Sequence, residues 1–194
     1  MKFIKNLALA AVTGLFALTT LAATLEINGV KLEDTADVHG SRLQLNGAGT
    51  RYKGPFKVYV AGLYLGKKAG TPEEVVNQLA PKRLSITMVR DIDAAELGKL
   101  LTRGMEDNMG KGDMSKLIPG LMRMSQIFSE QKKMLAGDNF LIEWIPGTGS
   151  VITVKGKVQG EPFKEAEFFK ALMSIWLGPA PADWKLKDAL LGSK

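Results

Sequence analysis

Arg51 and Tyr59 are the pair whose types and spacing could do chemistry. Arg51 is followed by Tyr52-Lys53-Gly54-Pro55, a segment able to turn. If the chain reverses there, Arg51 and Tyr59 lie equidistant from Pro55 and become cross-strand neighbours. A guanidinium fork beside a phenol would bind a carboxylate or phenolate. In an apolar surround it would fix the polar end of an otherwise apolar molecule. The alternative is a surface arginine whose stem covers apolar side chains, and periodicity alone leaves both open.

Other candidates have simpler explanations. Asp91, Asp93 and Glu96 could serve acid–base chemistry, but they open a helical pattern, where capping and the macrodipole account for them. Gly47-Ala48-Gly49 precedes more strand instead of a helix N-terminus, so it suits a bulge or close backbone approach better than a phosphate site. His39 is the single histidine and falls in a loop-like Asp37-Val38-His39-Gly40-Ser41. There is no cysteine, so disulfides, thiolate nucleophiles and thiolate metal sites are excluded, and a multi-histidine metal site is impossible. No cofactor is implied. Met105, Met109, Met114, Met122 and Met124 suit either core filling or the wall of a pocket for a flexible apolar ligand.

The elements that must position these residues begin after an export signal. Lys2 and Lys5 precede the apolar run Leu7 to Leu18, and small residues follow at Ala22 and Ala23. That is the order of a secretory signal peptide over residues 1–22, cleaved after Ala22 or Ala23. The run is shorter than the ~20 residues needed to cross a bilayer. The expected product is one domain, residues 23–194, located in the periplasm or secreted. Loss of Lys2 and Lys5 lowers the formal net charge from +6 to +4. The remaining basic residues are scattered pairs, so no nucleic-acid partner is expected; weak attraction to anionic lipid head groups fits the balance. No protein partner is indicated.

Along the mature chain, Asn28-Gly29 centres an alternating hairpin. Arg42 to Asn46 alternates again. Phe56 to Leu65 reads as a central strand, apolar on both faces. Thr71-Pro72-Glu73-Glu74 is a capping box opening a short helix that Pro81 ends. Leu84 to Arg90 reads as a strand. A helix capped by Asp93 carries Leu97, Leu101 and Met105, and a second long helix is expected over about 119–135. Strands 140–145 and 150–158 precede helices at 165–177, closed by Gly178, and at about 183–191. This order implies an α+β fold, an antiparallel sheet with helices packed on one face.

Leu45-Asn46-Gly47-Ala48-Gly49-Thr50-Arg51, followed by Phe56-Lys57-Val58-Tyr59-Val60-Ala61-Gly62-Leu63-Tyr64-Leu65, resembles the signature of the chalcone isomerase superfamily. Ile175-Trp176-Leu177-Gly178, with Pro181-Ala182-Asp183 and Leu190-Leu191-Gly192, is similar to its exported bacterial branch. The resemblance implies an open-faced β-sandwich, a large antiparallel sheet covered by a layer of helices with a ligand cleft between. In the plant enzymes an arginine steers a phenolate and stabilises the enolate formed as a chalcone cyclises. Arg51 matches that arginine. Tyr59 falls where the enzymes carry a catalytic threonine, Leu97 and Gly104 fall where they carry a tyrosine and an asparagine, and their late threonine or serine is replaced near Phe168. The fatty-acid-binding members keep the arginine and place a tyrosine near the threonine position. The resemblance therefore implies a non-catalytic binder of a fatty acid or similar amphipathic carboxylate, with Arg51 and Tyr59 at the head and Met and Leu side chains along the tail. The alternatives are an isomerase acting on an enone-like substrate, with Arg51 as electrophilic stabiliser, and an interaction module with a closed cleft.

Overall fold

A computed structural model describes residues 24–193; the signal peptide expected over residues 1–22 and its expected cleavage after Ala22 or Ala23 lie outside the described residues. Asn28 and Gly29 take φ values of 49° and 79°, the left-handed pair that a tight hairpin needs. They join β1 (Thr24–Ile27) to β2 (Val30–Glu33). The same device recurs at His39-Gly40, between β3 (Thr35–Val38) and β4 (Ser41–Lys53), so the histidine sits in an exposed turn. It recurs again at Lys155-Gly156, which divides the strand expected over 150–158 into β10 (Gly149–Val154) and β11 (Lys157–Val158). Lysine carries no turn signal there, and the glycine alone did not reveal the break.

β5 (Phe56–Leu65), β6 (Lys82–Met88) and β9 (Asn139–Ile145) complete a seven-stranded antiparallel sheet in the order β11-β10-β9-β6-β5-β4-β3. Every residue of β5 from Val58 to Leu65 is buried, because both of its faces are covered. Tyr59, Ala61, Leu63 and Leu65 belong to the main core; Tyr64 joins a smaller cluster with Val38, Leu43, Ile145 and Val151. The β1–β2 hairpin covers part of the second face. Its Leu32 packs on Gly62, and Asn28 donates to Thr50 Oγ1 at 2.6 Å.

Helices cover the main core face. α1 (Pro72–Asn77) starts at the expected capping box, Thr71 with Glu74. Asp93 caps α2 (Ala94–Glu106) by accepting from the Glu96 N–H at 3.0 Å. The second long helix departs from expectation: α3 spans Lys111–Ser129, with Pro119 inside it. Proline removes one main-chain hydrogen bond. Here the ring lies on the exposed side, while Leu117, Leu121, Met124 and Phe128 bury the opposite side and carry the helix through. Its end comes early because Lys132, at φ 58°, leaves helical space and β8 (Lys133–Met134) pairs with β7 (Ile92–Asp93). α4 (Ala166–Leu177) ends at Gly178. The φ of Gly178 is −72°, so left-handed geometry is not the reason for glycine; a Cβ there would collide with Asn108 Oδ1 and the Ser174 carbonyl.

α5 (Trp184–Leu190) explains Gly47-Ala48-Gly49. A Cβ on Gly47 would run into the Ala189 carbonyl oxygen, and one on Gly49 would lie 2.8 Å from Ala189 Cβ. The glycines let the helix settle on the strand. The β4–β5 register shifts between Leu45 and Gly47. The buried Asn46 amide at this bulge donates to the carbonyls of Ala69 and Leu190 and accepts from the Ala69 N–H, locking α5 to the sheet. β4 continues through this bulge to Lys53.

Candidate functional site: a cleft at the sheet end

A cleft of about 860 Å³ opens between the β4–β5 end of the sheet, α2 and the C-terminal part of α4. Arg51 and Tyr59 are paired directly across β4 and β5, and both line this cleft. The pairing inferred from the sequence holds, but not by symmetry about Pro55. The turn is centred between Gly54 and Pro55, with Lys53 opposite Phe56 and Tyr52 opposite Lys57, and a register shift between Arg51 and Tyr52 brings Arg51 opposite Tyr59 and not Val58. Leu97, Leu100 and Leu101 of α2 form one wall, and Ile175 and Trp176 of α4 another.

Tyr59 is buried, and its hydroxyl oxygen accepts a hydrogen bond from Trp176 Nε1 at 2.8 Å. Its own O–H has no acceptor among the described residues. Burial pushes the phenol up to about 12, against the Trp176 hydrogen bond and the Arg51 charge, which pull it down. At neutral pH the group is therefore a protonated donor and not a base.

Arg51 stands between the two readings of the sequence, neither fully buried in an apolar surround nor a free surface arginine. Its side chain is 22% exposed, and Nη1 stands 3.8 Å from Asp183 Oδ2. That is an ion pair without a hydrogen bond. Apart from its contact with the Tyr59 hydroxyl, which helps pull that phenol's pKa down, the guanidinium donates to no described residue. Asp183 is satisfied elsewhere. Oδ1 caps α5 by accepting from the Lys185 and Leu186 N–H groups at 2.9 and 3.2 Å, and Oδ2 accepts from the Tyr52 N–H at 2.9 Å.

The rim carries the carboxylates singled out from the sequence, each already engaged. Asp91 accepts from the Ala136 N–H at 3.0 Å and pairs with Lys133 at 2.9 Å; these contacts hold its carboxyl below the usual range. Asp93 is the α2 cap, and Glu96 pairs with Lys53 at 3.3 Å. Phe56 projects from the rim, 58% exposed, with the Arg90 guanidinium 5.0 Å from its ring.

The expected methionine wall is absent. Met105 and Met124 are core residues, Met109 and Met114 are packed against that core, and Met122 is 70% exposed. None of them lines the cleft, because α2 turns leucines toward it and keeps Met105 in the interior. Leu97 and Gly104 do line it, with no side-chain donor at either position. Phe168 does not. It stacks on Phe163 at 4.3 Å and covers Gly120, two helical turns before the Ile175–Trp176 segment that reaches the cleft.

Trp176 and Asp183 entered the sequence reading as members of the tail motif and of the two last helices, with no role at the site. A tryptophan inside a buried stripe needs an acceptor for its indole N–H, which signals a polar partner without naming Tyr59.

The family model for chalcone isomerase-like proteins matches residues 23–192. No curated protein sequence matches the chain. Among solved structures, the crystal structure of an Arabidopsis thaliana fatty-acid binding protein superposes with a TM-score of 0.64 at 15% identity, covering 87% of this chain and 96% of that one. At that identity the likeness speaks for the fold. The curled antiparallel sheet, the helical layer over it and the signature strand through Arg51 agree with the family match, and the chain belongs to the chalcone isomerase-like family.

Proposed function

We propose that this protein is an exported, single-domain, non-catalytic member of the family that binds a fatty acid or similar amphipathic carboxylate. The observation that carries the reading is the Arg51 fork, which beyond its contact with the Tyr59 hydroxyl donates to no described residue while facing a leucine-walled cleft beside a protonated phenol. A charge-assisted hydrogen bond contributes about 1.5–3 kcal/mol. Each buried methylene of a tail contributes roughly 0.8 kcal/mol. The leucine wall therefore supplies most of the affinity, and Arg51 with Tyr59 sets the orientation. The solved structure of similar fold, described as a fatty-acid binding protein, supports the same reading. Leu97 and Gly104 supply no donor for polarising an enone, and Tyr59 at about 12 is no general base near neutrality. Export rests on Lys2, Lys5 and the Leu7 to Leu18 run, with residues 23–194 as the exported domain.

The test is organic extraction of the purified protein followed by mass spectrometry, with uptake of a labelled fatty acid in parallel. A copurifying long-chain carboxylate, or saturable uptake near one equivalent, is expected. Absence of both removes the binding reading. Turnover of a chalcone that disappears in Arg51→Ala would replace it with the isomerase reading.

A further inference from the structure

The Arg51 guanidinium has an anionic neighbour before any ligand arrives. Asp183 cannot swing aside, because three backbone N–H groups hold its two oxygens: Tyr52 on β4, and Lys185 and Leu186 in the first turn of α5. The other carboxylates around the cleft are compensated locally. Asp91 has Lys133, Glu96 has Lys53, Asp107 has Arg103, and Asp93 caps α2. Asp183 is thus the fixed negative charge that an incoming head group meets at Arg51. A carboxylate taken by the free N–H donors of Arg51 lands a few ångströms beyond the guanidinium and feels both charges. An uncharged hydroxyl head uses the same donors and feels no net repulsion.

From this geometry we infer that Asp183 is the specificity-determining residue of the head site. It is a resident counter-charge that weakens capture of carboxylates relative to uncharged polar heads and keeps the bound acid exchangeable. The inference rests on the binding reading above. Across roughly 6 Å at an effective dielectric of about 40, the repulsion corresponds to about a ten-fold change in affinity.

The experiment compares the full chain with Asp183→Asn, using dodecanoic acid and dodecan-1-ol as competitors of a fluorescent probe. Asparagine is as good an N-cap as aspartate, so α5 keeps its start; the Tyr52 N–H loses its Oδ2 acceptor in either variant, a structural change that would act on both ligands alike. Asp183→Ser repeats the charge removal with a second capping side chain. The expected result is an acid Kd about ten-fold lower in both variants, with the alcohol Kd changed less than about two-fold. A purely structural role would weaken both ligands together and leave their ratio unchanged, which would overturn the inference. Weaker acid binding with unchanged alcohol binding would also overturn it, by making Asp183 an aid to Arg51. An acid that binds the wild type with an unmoved ratio sinks this inference alone; an acid bound by none of the proteins sinks the binding reading together with it.

Discussion

Arg51→Met isolates the head-group interaction. Methionine keeps most of the stem and removes the fork. The Arg51–Asp183 contact is long, at 3.8 Å, and partly exposed. A pair of that kind contributes about 0–1 kcal/mol to stability. Asp183 retains its three backbone donors without Arg51, so the fold should tolerate the change. The loss should appear in binding. A hydrogen bond to a charged group is worth about 1.5–3 kcal/mol. The exposure of Arg51 and its shared charge place the value near ~2 kcal/mol, a loss of roughly 30-fold in Kd. The uncompensated Asp183 then repels the acid further, whereas an alcohol loses only the hydrogen bond from Arg51. Displacement of a fluorescent fatty acid, with thermal melting as the control, measures this. A carboxylate affinity within about three-fold of wild type in a normally melting Arg51→Met protein would show that the guanidinium does not hold the head.

Three further outcomes follow from the packing and the titrations. Gly47→Ala drives a methyl into the backbone oxygen of Ala189. Helix α5 must shift, so stability should fall by about 1–3 kcal/mol in denaturant melts, whereas Gly70→Ala, with open space around it, should stay near wild type. Tyr59→Phe leaves the indole N–H of the buried Trp176 without its acceptor and should cost about 1–3 kcal/mol. Tyr59 holds its proton up to about 12 in the fold against 10.0 unfolded, so its contribution is complete below pH 10 and is lost as pH rises toward 12. Alkaline melts of Tyr59→Phe should lose that part of the slope and keep the part due to Tyr64, which burial also raises. Lys82 behaves in the opposite sense. Burial pushes it down to about 8 from 10.5, so the unfolded chain binds more protons between those values and stability rises with pH across that window. Lys82→Met should flatten the rise, as read from urea midpoints at pH 7.5, 9 and 10.5.

Much of the scaffold was legible because its causes are local. Asn28-Gly29 needs a left-handed turn, Thr71 and Glu74 make a capping box, and Asp93 stops the chain from fraying at α2. The meeting of Arg51 with Tyr59 was expected from a turn near Pro55, but the register that delivers it depends on a bulge between Arg51 and Tyr52 that the sequence did not announce. The glycines at 47 and 49 announced a close approach, although the helix that approaches was not evident. Local rules failed where packing overrode them. α3 runs through Pro119 because its apolar face is buried, and between the two readings of the methionines packing chose core filling for Met105 and Met124 over the cleft wall.

The chain by itself therefore determined the strand and helix types, the family signature and the cation facing a phenol. Tertiary structure alone decided what surrounds them: Trp176 on the Tyr59 oxygen, Asp183 beside Arg51, and leucine in place of methionine on the cleft wall. The physical reason is range. Turns and caps are set by neighbours a few residues apart, but the charge and polarity of a cleft are set by side chains that meet only after α4 and α5 have docked on a sheet most of the chain away.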